Sequence, residues 1–148
     1  MKQIYYVYNN EAIASCIFLS ILSKINKMDI ARSSLILPFL LDDRTISHLS
    51  RNQSTELEAM IKEQPSLFAS FNKRYISLLP VAINALMLLN KGNQISIEKE
   101  ITITAILNLE DKNLGDRFNK IEEVIPKFLS MIENSSTTQL YKSLKVQL

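Results

Sequence analysis

Cysteine is almost absent from this chain: Cys16 stands alone, so no intramolecular disulfide can form. It lies in Ala12-Ile13-Ala14-Ser15-Cys16-Ile17-Phe18-Leu19, where a small buried apolar residue is the expected role. Histidine is equally scarce, and His48 by itself cannot supply an imidazole-based metal site. The two glycines, Gly92 and Gly115, make no phosphate-cradling loop and are expected at element boundaries. No paired-cysteine motif and no G-x-S-x-G elbow occurs. The chain is therefore expected to be no enzyme, with no catalytic residue, no metal and no cofactor. Long apolar runs are missing too. The longest, Leu35 to Leu41, contains Pro38 and is far too short to span a bilayer, and Met1-Lys2-Gln3-Ile4-Tyr5-Tyr6 does not read as a signal peptide. A cytoplasmic protein without membrane contact is expected.

What is present suits a packed interior. Of 148 residues, 47% are apolar and 22% charged, and no linker, repeat or low-complexity block interrupts them, so residues 1–148 are expected to form a single domain. The net charge of +2 comes from lysines and arginines interspersed with acids, unlike the concentrated basic stripe of a dedicated nucleic-acid binder.

Residues 3–8 alternate weakly, as in a short strand or extended arm. Asn10 suits the cap of a helix from Glu11 to about Lys27, with Ala14, Ile17, Phe18, Ile21, Leu22 and Ile25 inward and Ser20, Ser23, Lys24 and Lys27 outward. Ile30 to Leu41 reads as a helix broken at Pro38, and Asp42-Asp43 opens a short helix through His48 to Arg51. Thr55-x-x-Glu58 fits a capping box, and Pro65 suits a first helical turn. Pro80 predicts a sharp junction before a helix from Val81 to Lys91 that Gly92 closes. Ile95, Ile97, Ile101 and Ile103 have the period of a hairpin with Glu98-Lys99-Glu100 at its tip. A helix from about Lys112 to Glu133, disturbed at Pro126, and a last one from Ser136 or Thr137 complete the reading.

Two helices joined near Pro80 and followed by a hairpin give the order of a winged helix. A recognition helix must present side chains that hydrogen-bond base edges, and Val81 to Lys91 offers only Asn84, Asn90 and Lys91. That helix is core or is covered by another chain. The same holds for Leu35 to Leu41: the two apolar segments either pack on each other or supply a subunit interface. Among polar groups, Asp42 or Asp43 reads better as a helix cap than as half of an acid–base pair, because neighbouring helical residues point apart. Glu110 and Asp111 are adjacent in the same way. His48 one turn from Arg44 reads as polar surface.

Several segments taken in order carry a resemblance: Asn10-Glu11-Ala12-Ile13-Ala14; Leu35-Ile36-Leu37-Pro38-Phe39-Leu40-Leu41 with Asp42-Asp43-Arg44; Leu78-Leu79-Pro80 with Ala85-Leu86; and Thr138-Gln139-Leu140-Tyr141 with Leu144-Lys145-Val146. The set resembles the middle component of bacterial three-component ABC systems. It covers nearly the whole chain and is weakest from Glu110 to Asn134. The resemblance implies a non-enzymatic adapter that couples an ABC ATPase, related to chromosome-maintenance and DNA-repair ATPases, to a larger effector component. It also implies a role in conflict with phages or other invading DNA.

The fold expected is mainly α, a helical domain with one β-hairpin in a modified winged-helix-like arrangement. Partner contact is assigned to Leu37, Pro38, Phe39, Asp42 and Arg44, and secondarily to Glu98, Lys99 and Glu100. Replacing Phe39 by Asp is expected to abolish copurification with a partner. The alternative is a winged-helix DNA-binding protein or transcription regulator that uses its hairpin and Lys91/Lys99 on phosphates. Direct nucleic-acid contact and homo-oligomerisation stay open.

Overall fold

The structure, a computed structural model, describes residues 10–52, 56–105 and 114–147. Asn10 opens α1 (Glu11–Ile25) as expected: its Oδ1 accepts from the N–H groups of Ala12 at 3.0 Å and Ile13 at 3.2 Å. These are donors that a first helical turn leaves without partners. The helix stops before Lys27 because Asn26 takes φ 67°, a conformation that a short polar side chain tolerates. The chain passes directly into β1 (Lys27–Asp29), a strand too short to show in the sequence. Asp29 then caps α2 (Ile30–Ser33) through the Ala31 N–H.

The break in the following segment falls at Ser34-Leu35 and not at Pro38. Helix α3 (Ile36–Leu40) starts late enough that Pro38 occupies its first turn, where the missing N–H would have had no intrahelical partner anyway. Asp42 caps α4 (Asp43–Arg51), its Oδ2 accepting from the Thr45 hydroxyl at 2.6 Å and the Thr45 N–H at 3.3 Å. Helix α5 (Leu57–Glu63) follows; Thr55 of the expected capping box and the expected arm at residues 3–8 lie outside the described residues. Pro65 heads the short α6 (Pro65–Phe68).

The largest departure comes next. Helix α7 (Phe71–Lys91) runs unbroken through Pro80, so the junction expected there is absent and no separate helix begins at Val81. Pro80 cannot donate to the Ile76 carbonyl, but Pro80 and Ile76 are both exposed, so water can serve that oxygen. At the far end Gly92 caps with φ −78°, and the left-handed residue is Asn93 at φ 59°. Strands β2 (Ile95–Ile97) and β3 (Glu100–Ile103) form the expected hairpin, with Ile95 opposite Ile103 and Ile97 opposite Ile101. β1 joins on the other edge of β3, giving a three-stranded antiparallel sheet in the order β1-β3-β2.

Helix α8 (Asp116–Ile132) is led by Gly115 at φ 101°, which a side chain would strain, and passes through an exposed Pro126 without interruption. Its expected first residues from Lys112, like Glu110 and Asp111, lie outside the described residues. Ser136 and Gln139 close a reciprocal capping box on α9 (Thr137–Ser143). Ser20, expected in water on α1, is buried instead: its hydroxyl donates to Glu122 on α8 at 3.3 Å and accepts from Lys24. Leu35 to Leu41 is buried along its whole length in one core with the inner faces of α1, α7 and α8. Phe39 sits at its centre, 5.0 Å from Phe71 and 5.2 Å from Phe128 between ring centroids.

Candidate protein-interaction site

Burial separates the residues expected at a partner contact into two groups. Leu37, Pro38 and Phe39 are enclosed by the chain's own side chains, Leu37 at 0% and Phe39 at 1% exposure, so in this fold they present no surface to a partner. Asp42 is only 12% exposed, and its carboxylate is committed to the α4 cap with Arg44 at 3.8 Å and Arg74 at 4.0 Å. Arg44 and the hairpin tip Glu98, Lys99 and Glu100 are exposed. At that tip the Glu98 N–H donates to the Glu100 carbonyl at 3.1 Å.

Arg74, which the sequence reading passed over, ties the first group together. Its Nε donates to the Pro38 carbonyl at 3.0 Å, Nη1 to the Ser70 hydroxyl at 2.7 Å and Nη2 to the Leu67 carbonyl at 3.1 Å. The guanidinium lies 5.3 Å from the Phe71 ring centroid. The proline-containing segment is thus held from behind by α7.

The other half of α7 is unlike the rest of the molecule. Phe71, Tyr75, Leu78, Val81, Ala82, Ala85, Leu86 and Leu89 are buried. On the opposite side Ile76 is 58% exposed, Ile83 49%, Met87 58% and Leu88 57%, with Pro80 exposed between them. Ile76, Pro80, Ile83 and Met87 follow at intervals of four, three and four, which keeps them in one narrow stripe of an α-helix. Sequence reasoning marks Val81 to Lys91 as core or covered by another chain, but with a junction placed at Pro80, Ile76 and Met87 belong to different helices and the row does not show as one.

The remaining candidates for chemistry are dispersed. His48 is half-buried and its Nδ1 lies 3.3 Å from the Asn52 side-chain nitrogen. Cys16 packs half-buried against the core. A polar latch holds α9 to β1 and α2: Thr137 donates to Asp29 at 2.7 Å and accepts from Arg32, which also bonds the Ser135 carbonyl. Tyr141 donates to the Ala31 carbonyl at 2.7 Å beside the Tyr75 hydroxyl. The Thr137 hydrogen bond foremost, with the Ala31 and Arg32 N–H groups, holds the Asp29 carboxyl below the usual carboxylate range. Burial foremost, then the Tyr75 hydroxyl, pushes the Tyr141 hydroxyl up.

Among the described residues no cluster of three or more His, Cys, Asp or Glu is placed to hold a metal ion, and no helix is long and apolar enough to cross a membrane. No curated protein and no solved structure matches the chain. The family model described as ABC-three component (ABC-3C) system Middle Component 3 matches residues 2–148, and with that match spanning essentially the whole chain, the protein belongs to this family.

Proposed function

We propose that this chain is a non-enzymatic adapter in an ABC three-component system, passing the state of an ABC ATPase to a larger effector component in defence against phages or other invading DNA. Membership of the middle-component family gives the setting. The observation that supports a docking role is the exposed row on α7. Covering one large apolar side chain is worth about 1.5–3 kcal/mol, and a continuous row left in water on a helix whose other face is buried marks a contact with another molecule. Arg44 and the tip residues Glu98, Lys99 and Glu100 are exposed polar positions open to a further contact. Leu37, Pro38, Phe39 and Asp42 act behind that surface, fixing α7 through the aromatic core and Arg74.

Capture of the tagged chain from its host cell, read by mass spectrometry, tests the reading. Recovery of an ABC ATPase together with a larger effector is the expected result; a chain recovered alone, or with nucleic acid only, overturns it. Phe39→Asp is unsuited to mapping the contact, because a carboxylate among Phe71 and Phe128 unfolds the core before any surface is tested.

A further inference from the structure

The charges bordering the α7 row say what kind of helix can cover it. The 21 residues of α7 contain no Asp or Glu; its charges are Lys73, Arg74 and Lys91. Arg74 turns inward onto Pro38, Ser70 and Leu67, which leaves Lys73 and Lys91 on the outside, both exposed. They are eighteen positions apart, five full turns at about 3.6 residues per turn, so they stand on the same edge of the apolar row roughly 27 Å apart. Neither makes an ion pair among the described residues. Between them on that edge lies Asn84, whose amide donates to Glu11 at the start of α1 at 3.3 Å. The edge is therefore positive at its two ends and engaged with the chain's own carboxylate at its middle.

Intervals of four, three and four are those of a seam that packs against a second helix side by side, with the flanking charges choosing the partner. A second copy of this chain is a poor choice. Paired antiparallel about the middle of the row, Lys73 of one copy meets Lys91 of the other; paired parallel, the lysine edge of each copy faces the opposite edge of its partner helix, where α7 has no Asp or Glu. The antiparallel direction sets like charges together, and neither direction offers the lysines a carboxylate from the facing α7. From the row and its two lysines we infer that α7 docks a helix of a different subunit, one with its own apolar four–three seam and carboxylates on its flank about five turns apart. This rests on the adapter reading above and names the chemistry of its partner.

The test uses the full chain co-produced with an ABC ATPase and a larger effector component from its host, with wild type and two variants compared. Ile83→Asp with Met87→Asp places charges only on exposed positions, so the isolated variant should keep the wild-type circular dichroism and melt while its affinity for the partner falls at least 100-fold. Lys73→Glu with Lys91→Glu, which leaves the apolar row intact, should weaken binding about tenfold or more at low salt and less at high salt. Carbodiimide treatment of the wild-type complex should join Lys73 or Lys91 to an Asp or Glu of the partner, identified by mass spectrometry. If the complex forms but all three measurements leave α7 untouched, the docking inference fails while the adapter reading stands. If wild type captures no component at all, the adapter reading itself has failed. If wild type is a dimer that Ile83→Asp with Met87→Asp makes monomeric, a second copy covers the row and the charge argument is overturned.

Discussion

At the residue scale the decisive side chain is Arg74, and nothing in Phe71-Asn72-Lys73-Arg74 distinguishes it from Lys73. Successive helical positions point about 100° apart, and that rotation alone sends Lys73 to solvent and Arg74 between α3, α6 and the start of α7. The guanidinium fork meets three acceptors through three separate nitrogens, a spread that the single nitrogen of an ammonium does not match. Arg74→Ala strips hydrogen bonds from Pro38, Ser70 and Leu67 and removes the more enclosed of the two guanidiniums beside the Asp42 carboxylate. A loss of about 3 kcal/mol is expected, read as a lower urea midpoint at unchanged slope, with Arg74→Lys recovering only part of it. Asp42 was legible as a cap because Asp followed by a short polar helix start is a strong local signal. Its coupling to Arg74 depends on a contact 32 positions away in the chain, which no local pattern encodes. Phe39 was legible as important and misplaced in kind: its all-apolar surroundings pointed equally to core and to interface, and the ring contacts with Phe68, Phe71 and Phe128 put it in the core. Phe39→Ala is expected to cost about 3–5 kcal/mol in the isolated chain, measurable by the same titration.

At the element scale, caps and the first-turn Pro65 could be read, and the other prolines could not. Asn10 and Asp42 cap where the sequence puts them, and Ser136, one of the two expected starts, caps the last helix, because capping is settled within one turn. Pro38 sits in a first turn, where it forfeits no intrahelical hydrogen bond; Pro80 and Pro126 sit inside helices, where packing of the inner faces outweighed a local penalty of about 3 kcal/mol. That penalty should be recoverable. Pro80→Ala restores an N–H for the Ile76 carbonyl on an exposed side and is expected to stabilise the chain by up to about 3 kcal/mol, raising the thermal midpoint; no rise would mean that the ring holds a bend α7 needs. The α9 latch predicts a pH response of definite sign. Tyr141 has its pKa raised by burial, so its contribution is complete below the unfolded value of about 10 and is lost as pH rises above it, where only the unfolded chain ionises. Between roughly pH 9 and 11 the wild-type urea midpoint should therefore fall more steeply than that of Tyr141→Phe. On the acid side Asp29, lowered chiefly by Thr137, contributes above its unfolded value of about 3.9. That contribution disappears as pH drops through the lower folded value.

At the scale of the whole molecule, a mainly helical fold with one hairpin followed from composition and periodicity, and the continuous exposed row on α7 did not, because it depends on α7 being a single helix. The same fact bears on the DNA-binding alternative. A winged helix needs a short recognition helix standing clear of its neighbour, whereas here Val81 to Lys91 is the second half of a 21-residue rod. Its inner face is core, and the outward positions that would reach bases hold Ile83, Met87 and Leu88, with Asn84 turned to Glu11. Apolar side chains at those positions recognise little beyond a thymine methyl. The remaining route is through phosphates, with Lys91 and Lys99, but Lys99 lies between Glu98 and Glu100 and the whole chain carries only +2. Phosphate binding scales with the number of counterions released, so a sparse and mixed set of charges gives a weak, shallow salt dependence. The isolated chain is accordingly expected to leave duplex DNA unshifted in gel or anisotropy titrations even at about 50 mM salt. Tight binding that falls steeply with salt, and that Lys91→Glu with Lys99→Glu abolishes, would reverse this conclusion. It would mean that the hairpin, rather than α7, faces the system's ligand.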